Sequence, residues 1–320
     1  MLDLFKLSKP AYRATSRHFP EEDRQSFLQD LIVNDVDCPF RWLLSPEIDN
    51  TSDPRAPPLI EELLPIFASD PSSFLEKVKV TQEQQEYVAE KTQLQRKSQY
   101  WGMYRRLRLT ASNFGMVLKS IDRKKNTGRP FPPSLFKSLR GKYNLERKDP
   151  IIWGNMHEEI ALKAYIEKTG NQVVQSGLQL FSCGYLGCSP DGIIIPKETS
   201  GSRGALEIKC PWKYKDNTID EILSLEKAKN PLLKDFFLTE NLELNVLHNY
   251  WHQVQAEMAV LPLEWAHFVV WTFKDCLITY QNFQIFTYMI YYLHVTQKMI
   301  NYKYTQTIVS KVGLVYKYFA

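Results

Sequence analysis

The segment 186–213, LGCSPDGIIIPKETSGSRGALEIKCPWK, constrains this chain more than any other. Asp191 closes one apolar β run, and Glu207 and Lys209 sit two apart on the next, so charged groups converge where strands normally hide hydrophobes. Side chains alternate along a strand, which places Glu207 and Lys209 on one face and Leu206, Ile208 and Cys210 on the other. A half-buried carboxylate is costly unless it is paired or binds a cation, and two converging carboxylates raise one another's pKa unless a divalent ion lies between them. Oxygen-only ligation of this kind suits Mg²⁺, which keeps several waters and takes one or two carboxylates plus phosphate oxygens. Asp191 and Glu207 are therefore the expected metal ligands. Lys209 is expected to position or deprotonate the attacking water and to offset charge on a phosphodiester. The alternative for the same residues is a hairpin with a surface salt bridge between Glu207 and Lys209.

A third carboxylate comes from the preceding helix. Residues 152–168 carry helical periodicity that stops at Gly170, and Ala161, Leu162 and Tyr165 follow Glu158 at helical spacing. Glu158 thus lies on the apolar stripe, while Glu159 aligns with Lys163 and Ile166 near its border. An amphipathic fringe position is the alternative for Glu158.

Around these elements the pattern is regular. An acidic, proline-punctuated segment runs to about Asp70, and Thr81 with Gln84 forms a capping box that opens a helix. A short helix is expected over 110–121. Three β runs at 172–181, 186–195 and 205–213 have short links that predict a meander. Helices at 216–228 and 242–261, a strand pair at 265–273 and 276–283, and a terminal helix follow.

Charge is unevenly spread. Residues 1–70 hold 7 Lys plus Arg against 13 Asp plus Glu, a balance of −6, whereas residues 96–148 hold 15 against 2, a balance of +13. The basic segment includes Arg105, Arg106, Arg108, Lys119, Arg123, Lys124, Lys125, Arg129 and Arg140, interleaved with Tyr100, Trp101, Tyr104 and Phe114. Such a surface can meet phosphates and stack on unpaired bases. A solvated face is the alternative, and Arg123-Lys124-Lys125 also fits a nuclear localisation patch.

With 320 residues and 44% hydrophobic content, the chain can bury a large core. Its five cysteines show no C-x-x-C spacing, which argues against a disulfide framework or a zinc site. His248 and His252 are four apart but lack a third ligand nearby. No secretory h-region follows Met1 and no run of eighteen apolar residues occurs, so the expectation is a soluble intracellular protein, cytoplasmic or nuclear and not secreted, with no membrane partner. Asn50-Thr51-Ser52 is then an ordinary loop.

Read in order, five motifs carry a resemblance: Arg105 with Leu109-Thr110-Ala111-Ser112; Trp153-Gly154 with Glu158; Cys188-Ser189-Pro190-Asp191-Gly192; Leu206-Glu207-Ile208-Lys209-Cys210-Pro211; and Tyr250 with Gln253-Val254-Gln255. The chain resembles the phage lambda exonuclease and YqaJ-type viral recombinase family of PD-(D/E)XK nucleases, over roughly residues 100–300. The resemblance implies an α/β fold: a restriction-endonuclease-like core with a central mixed β-sheet flanked by helices, over 81–320. It leaves a mostly helical N-terminal extension of unknown role over 1–80. It implies Asp191 and Glu207 as ligands of one or two Mg²⁺ ions, with Mn²⁺ as a substitute, the carbonyl of Ile208 as a further ligand, Lys209 as the catalytic lysine and Glu158 in support of the metal site. Arg105, Ser112, Ser189 and Gln253 would surround the 5′-phosphate of a DNA end, where a guanidinium with hydroxyl and amide donors suits a phosphate terminus. The implied activity is 5′-to-3′ exonuclease action on linear double-stranded DNA ends, feeding a single-strand annealing protein. A homo-oligomer is implied as well, the phage relative being a trimer. A catalytically silent end-binding module, or an endonuclease or RNase of the viral alkaline nuclease type, are the alternatives. The chain departs from the phage pattern in a longer loop at 196–204 and in its first eighty or so residues.

Overall fold

The computed structural model describes residues 26–27, 29–31, 53–139, 148–197, 201–230, 233 and 236–284. The terminal helix, Cys38, the Asn50 loop and Arg140 of the basic segment lie outside these. The chain divides into two compact units, Met1–Pro54 and Arg55–Ala320, and the second carries both sheets and the site residues.

Two short helices, α1 (Ile60–Ser69) and α2 (Pro71–Lys77), bury Ile60, Leu63, Phe67, Phe74 and Val78 against Leu107 and Tyr185. These helices, which the sequence groups with the extension, therefore pack on the core unit. Helix α3 (Gln82–Lys91) opens with the expected capping box: Gln84 N donates to Thr81 Oγ1 at 3.2 Å, and Thr81 N donates to Gln84 Oε1 at 3.0 Å. Helix α4 (Gln99–Arg105) leads to β1 (Leu109–Thr110) and α5 (Ala111–Thr127). Helix α5 runs beyond the expected end at 121 because nothing breaks its periodicity until Gly128, whose φ of 67° suits a C-terminal cap. Helix α6 (Pro133–Leu139) and the long α7 (Asp149–Thr169) follow, the latter ending at Gly170 with φ 71°.

The expected meander is replaced by two sheets. Strands β2 (Gln172–Val174), β5 (Gly192–Ile195), β6 (Gly204–Lys209), β7 (Trp265–Trp271) and β8 (Cys276–Asn282) form a mixed sheet in the order β2-β5-β6-β7-β8, with β6 and β7 parallel. Strands β3 (Gln179–Leu180) and β4 (Leu186–Cys188) join β1 in a second sheet of order β1-β4-β3. The run at 172–181 breaks at Ser176-Gly177. A Cβ on Gly177 would lie 2.1 Å from the Ala89 carbonyl oxygen, and Leu178 N donates to Thr92 Oγ1 at 2.7 Å, so the chain there is held by α3 and the turn after it rather than by a strand. The run at 186–195 breaks at Pro190, which has no N–H for a ladder.

Helices cover both faces of the larger sheet. Trp153, Ala161 and Tyr165 of α7 pack on Ile194, Leu206, Ile208, Val269 and Trp271. On the other face, α8 (Ile219–Lys229) and α9 (Asn249–Val260) contribute Ile219, Ile222, Trp251, Val254 and Met258 against Ala205, Ala266, Phe268 and Val270. Burying each large side chain of this kind contributes about 1.5–3 kcal/mol. Helix α9 starts seven residues later than the expected 242. Leu242 has φ 64°, and the Asn245 side chain donates to the Leu233 and Phe236 carbonyls, which turns the chain before His248 caps the helix. Among the described residues no helix is long and apolar enough to cross a membrane.

Candidate active site

The site grows from the broken strand. Asp191 precedes the first paired residue of β5, Gly192, which sits opposite Leu206. Asp191 N donates to the Leu206 carbonyl at 3.0 Å, and Ile208 N donates to Asp191 Oδ2 at 2.6 Å. The carboxylate thus caps the open end of the β5–β6 ladder. A Cβ at position 192 would fall 2.3 Å from Val173 Cγ1, which explains a glycine after the aspartate.

On β6, alternation sends Leu206 and Ile208 into the α7 layer and leaves Glu207 and Lys209 toward α9, as the sequence implies. Glu207 is buried, only 2% exposed. Its Oε1 accepts from Lys209 Nζ and from Gln253 Nε2, the latter at 2.6 Å. Gln253 Nε2 also donates to Glu257 Oε1 at 3.0 Å. The salt bridge between Glu207 and Lys209 is real but buried on the carboxylate side, unlike the surface hairpin pair that the sequence left as its alternative. Glu158, half-buried on α7, faces a cleft of about 340 Å³ lined also by Asp191, Ile208, Lys209, Cys210, Trp212 and Tyr250. Its neighbour Glu159 is exposed and pairs with Lys163 at 3.3 Å.

The electrostatics are those of crowded acids. Burial, and then the nearby Glu207, push the Asp191 carboxyl well above its usual range, against the pull of Lys209. Burial raises Glu158, with Arg96 opposing. Burial and then Glu207 raise Glu257 well above the usual range. For Lys209, burial acts downward, but Glu207 and Asp191 outweigh it and the ammonium is favoured. Glu207 Oε2 and Glu257 Oε2 are buried with no hydrogen-bond partner. Acids that disfavour one another's charge, with an orphaned carboxylate oxygen among them, fit a divalent cation. Among the described residues no three carboxylate, thiolate or imidazole groups are gathered to hold a metal unaided. Waters and phosphate oxygens would complete the set, which is the partial protein ligation that Mg²⁺ accepts.

A second cluster meets the same turn two residues upstream of Asp191, at Ser189. Arg105, at the end of α4, donates through Nη1 to Ser189 Oγ at 3.3 Å and through Nη2 to Thr110 Oγ1 at 3.3 Å and Ser112 Oγ at 3.2 Å. Its guanidinium lies 4.1 Å from the centroid of the Trp101 ring, and Trp101 Nε1 donates to Ser189 Oγ at 3.1 Å. Burial lowers Arg105 to about 10, which leaves it charged at neutral pH. The hydroxyl oxygens accept from the guanidinium; Thr110 and Ser112 share one hydroxyl hydrogen between them at 3.3 Å, which leaves the hydrogen of Ser189 and one of that pair to be donated to an anion. Three of the four residues expected around a phosphate therefore meet here. The fourth, Gln253, bonds the acids instead.

Several residues in and around these clusters lie outside the site residues expected from the sequence. Tyr250 faces the cleft and receives Lys209 Nζ 4.9 Å from its ring centroid, rather than serving packing alone. Gln95, with φ 47°, donates from Nε2 to the carbonyls of Ser176 at 3.0 Å and Pro190 at 2.9 Å, pinning the turn that carries Asp191. Glu257 lies in the helix expected over 242–261 but belongs to no motif there. Trp101 is legible as an aromatic of the basic segment, and Tyr250 as a member of the motif with Gln253-Val254-Gln255. His248 and His252 form no zinc pair on a helix face, since His248 is the N-cap and its Nδ1 accepts from Tyr250 N at 3.2 Å.

A family model described as the YqaJ-like viral recombinase domain matches residues 100–264. No curated protein matches the chain. Among solved structures, the alkaline exonuclease LHK-Exo from Laribacter hongkongensis is 20% identical, with 70% of this chain and 100% of that chain covered and a TM-score of 0.44. A SOX–DNA complex is 13% identical, with 81% of each chain covered and a TM-score of 0.39. The Shutoff and Exonuclease Protein from Kaposi's sarcoma associated herpesvirus is 15% identical, with 64% and 65% covered and a TM-score of 0.34. Scores of this size leave the assignment to the sequence match, which takes in more than half of the 320 residues and every site residue expected from the sequence. The chain belongs to the YqaJ-like viral recombinase domain family.

Proposed function

We propose that this chain is a divalent-metal-dependent nuclease that hydrolyses DNA from the 5′ ends of linear duplexes. The observation that carries the reading is the Ser189-Pro190-Asp191 turn, whose first residue belongs to the Arg105 cluster and whose last belongs to the acidic cleft. An anion pocket and a carboxylate centre so joined suit a substrate held by a terminal phosphate and cut close by.

Asp191 and Glu207 would hold the cation, with Glu158 and the Ile208 carbonyl in support. When bound, Mg²⁺, or Mn²⁺ in its place, supplies Lewis acidity at the phosphodiester and a water acidic enough to attack. The remaining work falls to the protein. Arg105, Ser112 and Ser189 orient the terminal phosphate through charge-assisted and hydroxyl hydrogen bonds. Lys209, beside Glu207 and Asp191, offsets charge building on the scissile phosphate. The exposed basic residues Lys119, Arg123, Lys124, Lys125 and Arg129 along and after α5 extend the Ser112 side of the pocket and would track the duplex backbone. The exposed 3′ strand would pass to a single-strand annealing protein, and a homo-oligomer would keep the enzyme on its substrate.

The test compares 5′-phosphorylated linear duplex, 5′-hydroxyl duplex and closed circles with and without Mg²⁺, for wild type and Asp191→Ala. Mg²⁺-dependent loss of the phosphorylated linear form, absent in the variant, is expected. Equal degradation of circles would remove the end-directed reading. The absence of any metal-dependent product from DNA or RNA would leave only an end-binding role.

A further inference from the structure

We infer that Glu257 is a positioning residue for the acidic centre: through the amide of Gln253 it fixes the rotamer of Glu207. The inference rests on the nuclease reading above and goes beyond it by adding a residue that makes no contact with the substrate.

Glu257 is 0% exposed, on α9 one turn after Gln253. The Gln253 amide nitrogen has two hydrogens, and both are in use. One goes to Glu207 Oε1 at 2.6 Å and the other to Glu257 Oε1 at 3.0 Å. Gln253 therefore cannot turn without losing both bonds, and Glu207 is held from one side by Gln253 and from the other by Lys209. That double hold leaves Glu207 Oε2 as the atom without a partner. A side chain at 257 without an acceptor would release one amide hydrogen and let Gln253 swing.

Packing alone does not ask for an acid here. Among its helix neighbours Val254, Ala256 and Met258 are buried and apolar and Gln253 and Gln255 are buried and polar but uncharged, and a leucine would fill the site without the desolvation of a carboxyl. Glu257 Oε2 has no partner, so the acid is incompletely compensated where it sits. Helix α9 also packs against α5, which carries Ser112, and against β4, which ends at Cys188 just before Ser189, and Glu257 is felt electrostatically at Arg105. One buried acid thus stands behind both clusters.

The experiment measures Mn²⁺ binding to the full chain without DNA, by titration calorimetry or the loss of the free Mn²⁺ EPR signal. Wild type, Asp191→Ala, Glu257→Leu and Glu257→Gln are compared, with circular dichroism to confirm folding. Losing an outer hydrogen-bond partner of a metal ligand weakens metal binding about 10–100-fold, and Glu257→Leu is expected in that range. Glu257→Gln keeps an acceptor toward Gln253 and is expected to recover binding to within about threefold of wild type. With DNA saturating, kcat should follow the same order while KM for the duplex stays level. If wild type binds no Mn²⁺, the nuclease reading fails. If wild type binds and Asp191→Ala does not, yet Glu257→Leu binds as wild type, the inference alone is overturned. Equal weakening by Leu and Gln also overturns it, because charge and not the hydrogen bond would then be at work. Should Glu257→Leu not fold, Glu257→Met, flexible and equally without a strong acceptor, takes its place with the same two outcomes.

Discussion

Arg105→Lys tests the anion pocket directly. The guanidinium reaches Ser189 through one terminal nitrogen and Thr110 and Ser112 through the other, with its plane against Trp101. A terminal phosphate meeting this fork would gain two charge-assisted hydrogen bonds of about 1.5–3 kcal/mol each. Lysine keeps the charge and one such bond but cannot span Ser189 and Ser112 together. The loss of one bond, about 1.5–3 kcal/mol, corresponds to roughly a 10–100-fold fall in the preference for a phosphorylated end. The assay is kcat/KM on matched duplexes bearing 5′-phosphate or 5′-hydroxyl, taken as a ratio so that general effects on folding or metal binding cancel. The ratio should collapse in Arg105→Lys because the phosphorylated substrate slows while the hydroxyl substrate barely changes. An unchanged ratio, or an equal slowing of both substrates, would refute the assignment of the pocket to the terminal phosphate.

Other expectations follow from single contacts. Asp191→Asn keeps an oxygen for the Ile208 amide but loses the charge, so Mg²⁺-dependent cleavage should fall about 10³-fold, in line with several kcal/mol of lost charge stabilisation. Because the native carboxyl is disfavoured as an anion, the same variant in EDTA should melt about 3 °C higher than wild type by differential scanning fluorimetry. Gln95→Ala leaves the Ser176 and Pro190 carbonyls without their donor and should lower stability by about 1–3 kcal/mol in urea titrations. His252 is lowered to about 4, first by burial and then by Lys119 and His248, so its folded value lies below the ordinary 6.5. Stability from the neutral imidazole is present above pH 6.5 and lost as pH falls toward 4. His252→Gln should therefore show a shallower fall in melting temperature across that window.

What could be read from the chain and what could not divide along physical lines. Glu158, Asp191, Glu207 and Lys209 stand at local spacings, a helical stripe, a turn and an alternating strand, and short-range geometry decides where each points. The capping box at Thr81 and the stop at Gly170 are local for the same reason. The meander failed because its first two runs are cut by contacts from elsewhere: α3 pressing on Gly177, and a proline whose effect on pairing depends on which sheet receives the next residue. The start of α9 was missed because Asn245 takes carbonyls from a segment nine and twelve residues earlier. Gln253 illustrates the limit most sharply. The resemblance placed it beside a phosphate, but whether its amide meets a phosphate or a carboxylate depends on Glu257, one turn away, and on a strand forty-six residues earlier.

The turn that joins the two clusters has a mechanical corollary. Ser189 directly follows the last strand residue of one sheet and Asp191 directly precedes the first strand residue of the other, with only Pro190 between them, and Gln95 clamps that proline's carbonyl. The chain there behaves as a fixed gauge. Under the proposed activity, the phosphate pocket and the acidic centre cannot slide apart without tearing a ladder, so every cut on a held terminus would remove a fragment of the same length, whatever bases it carries.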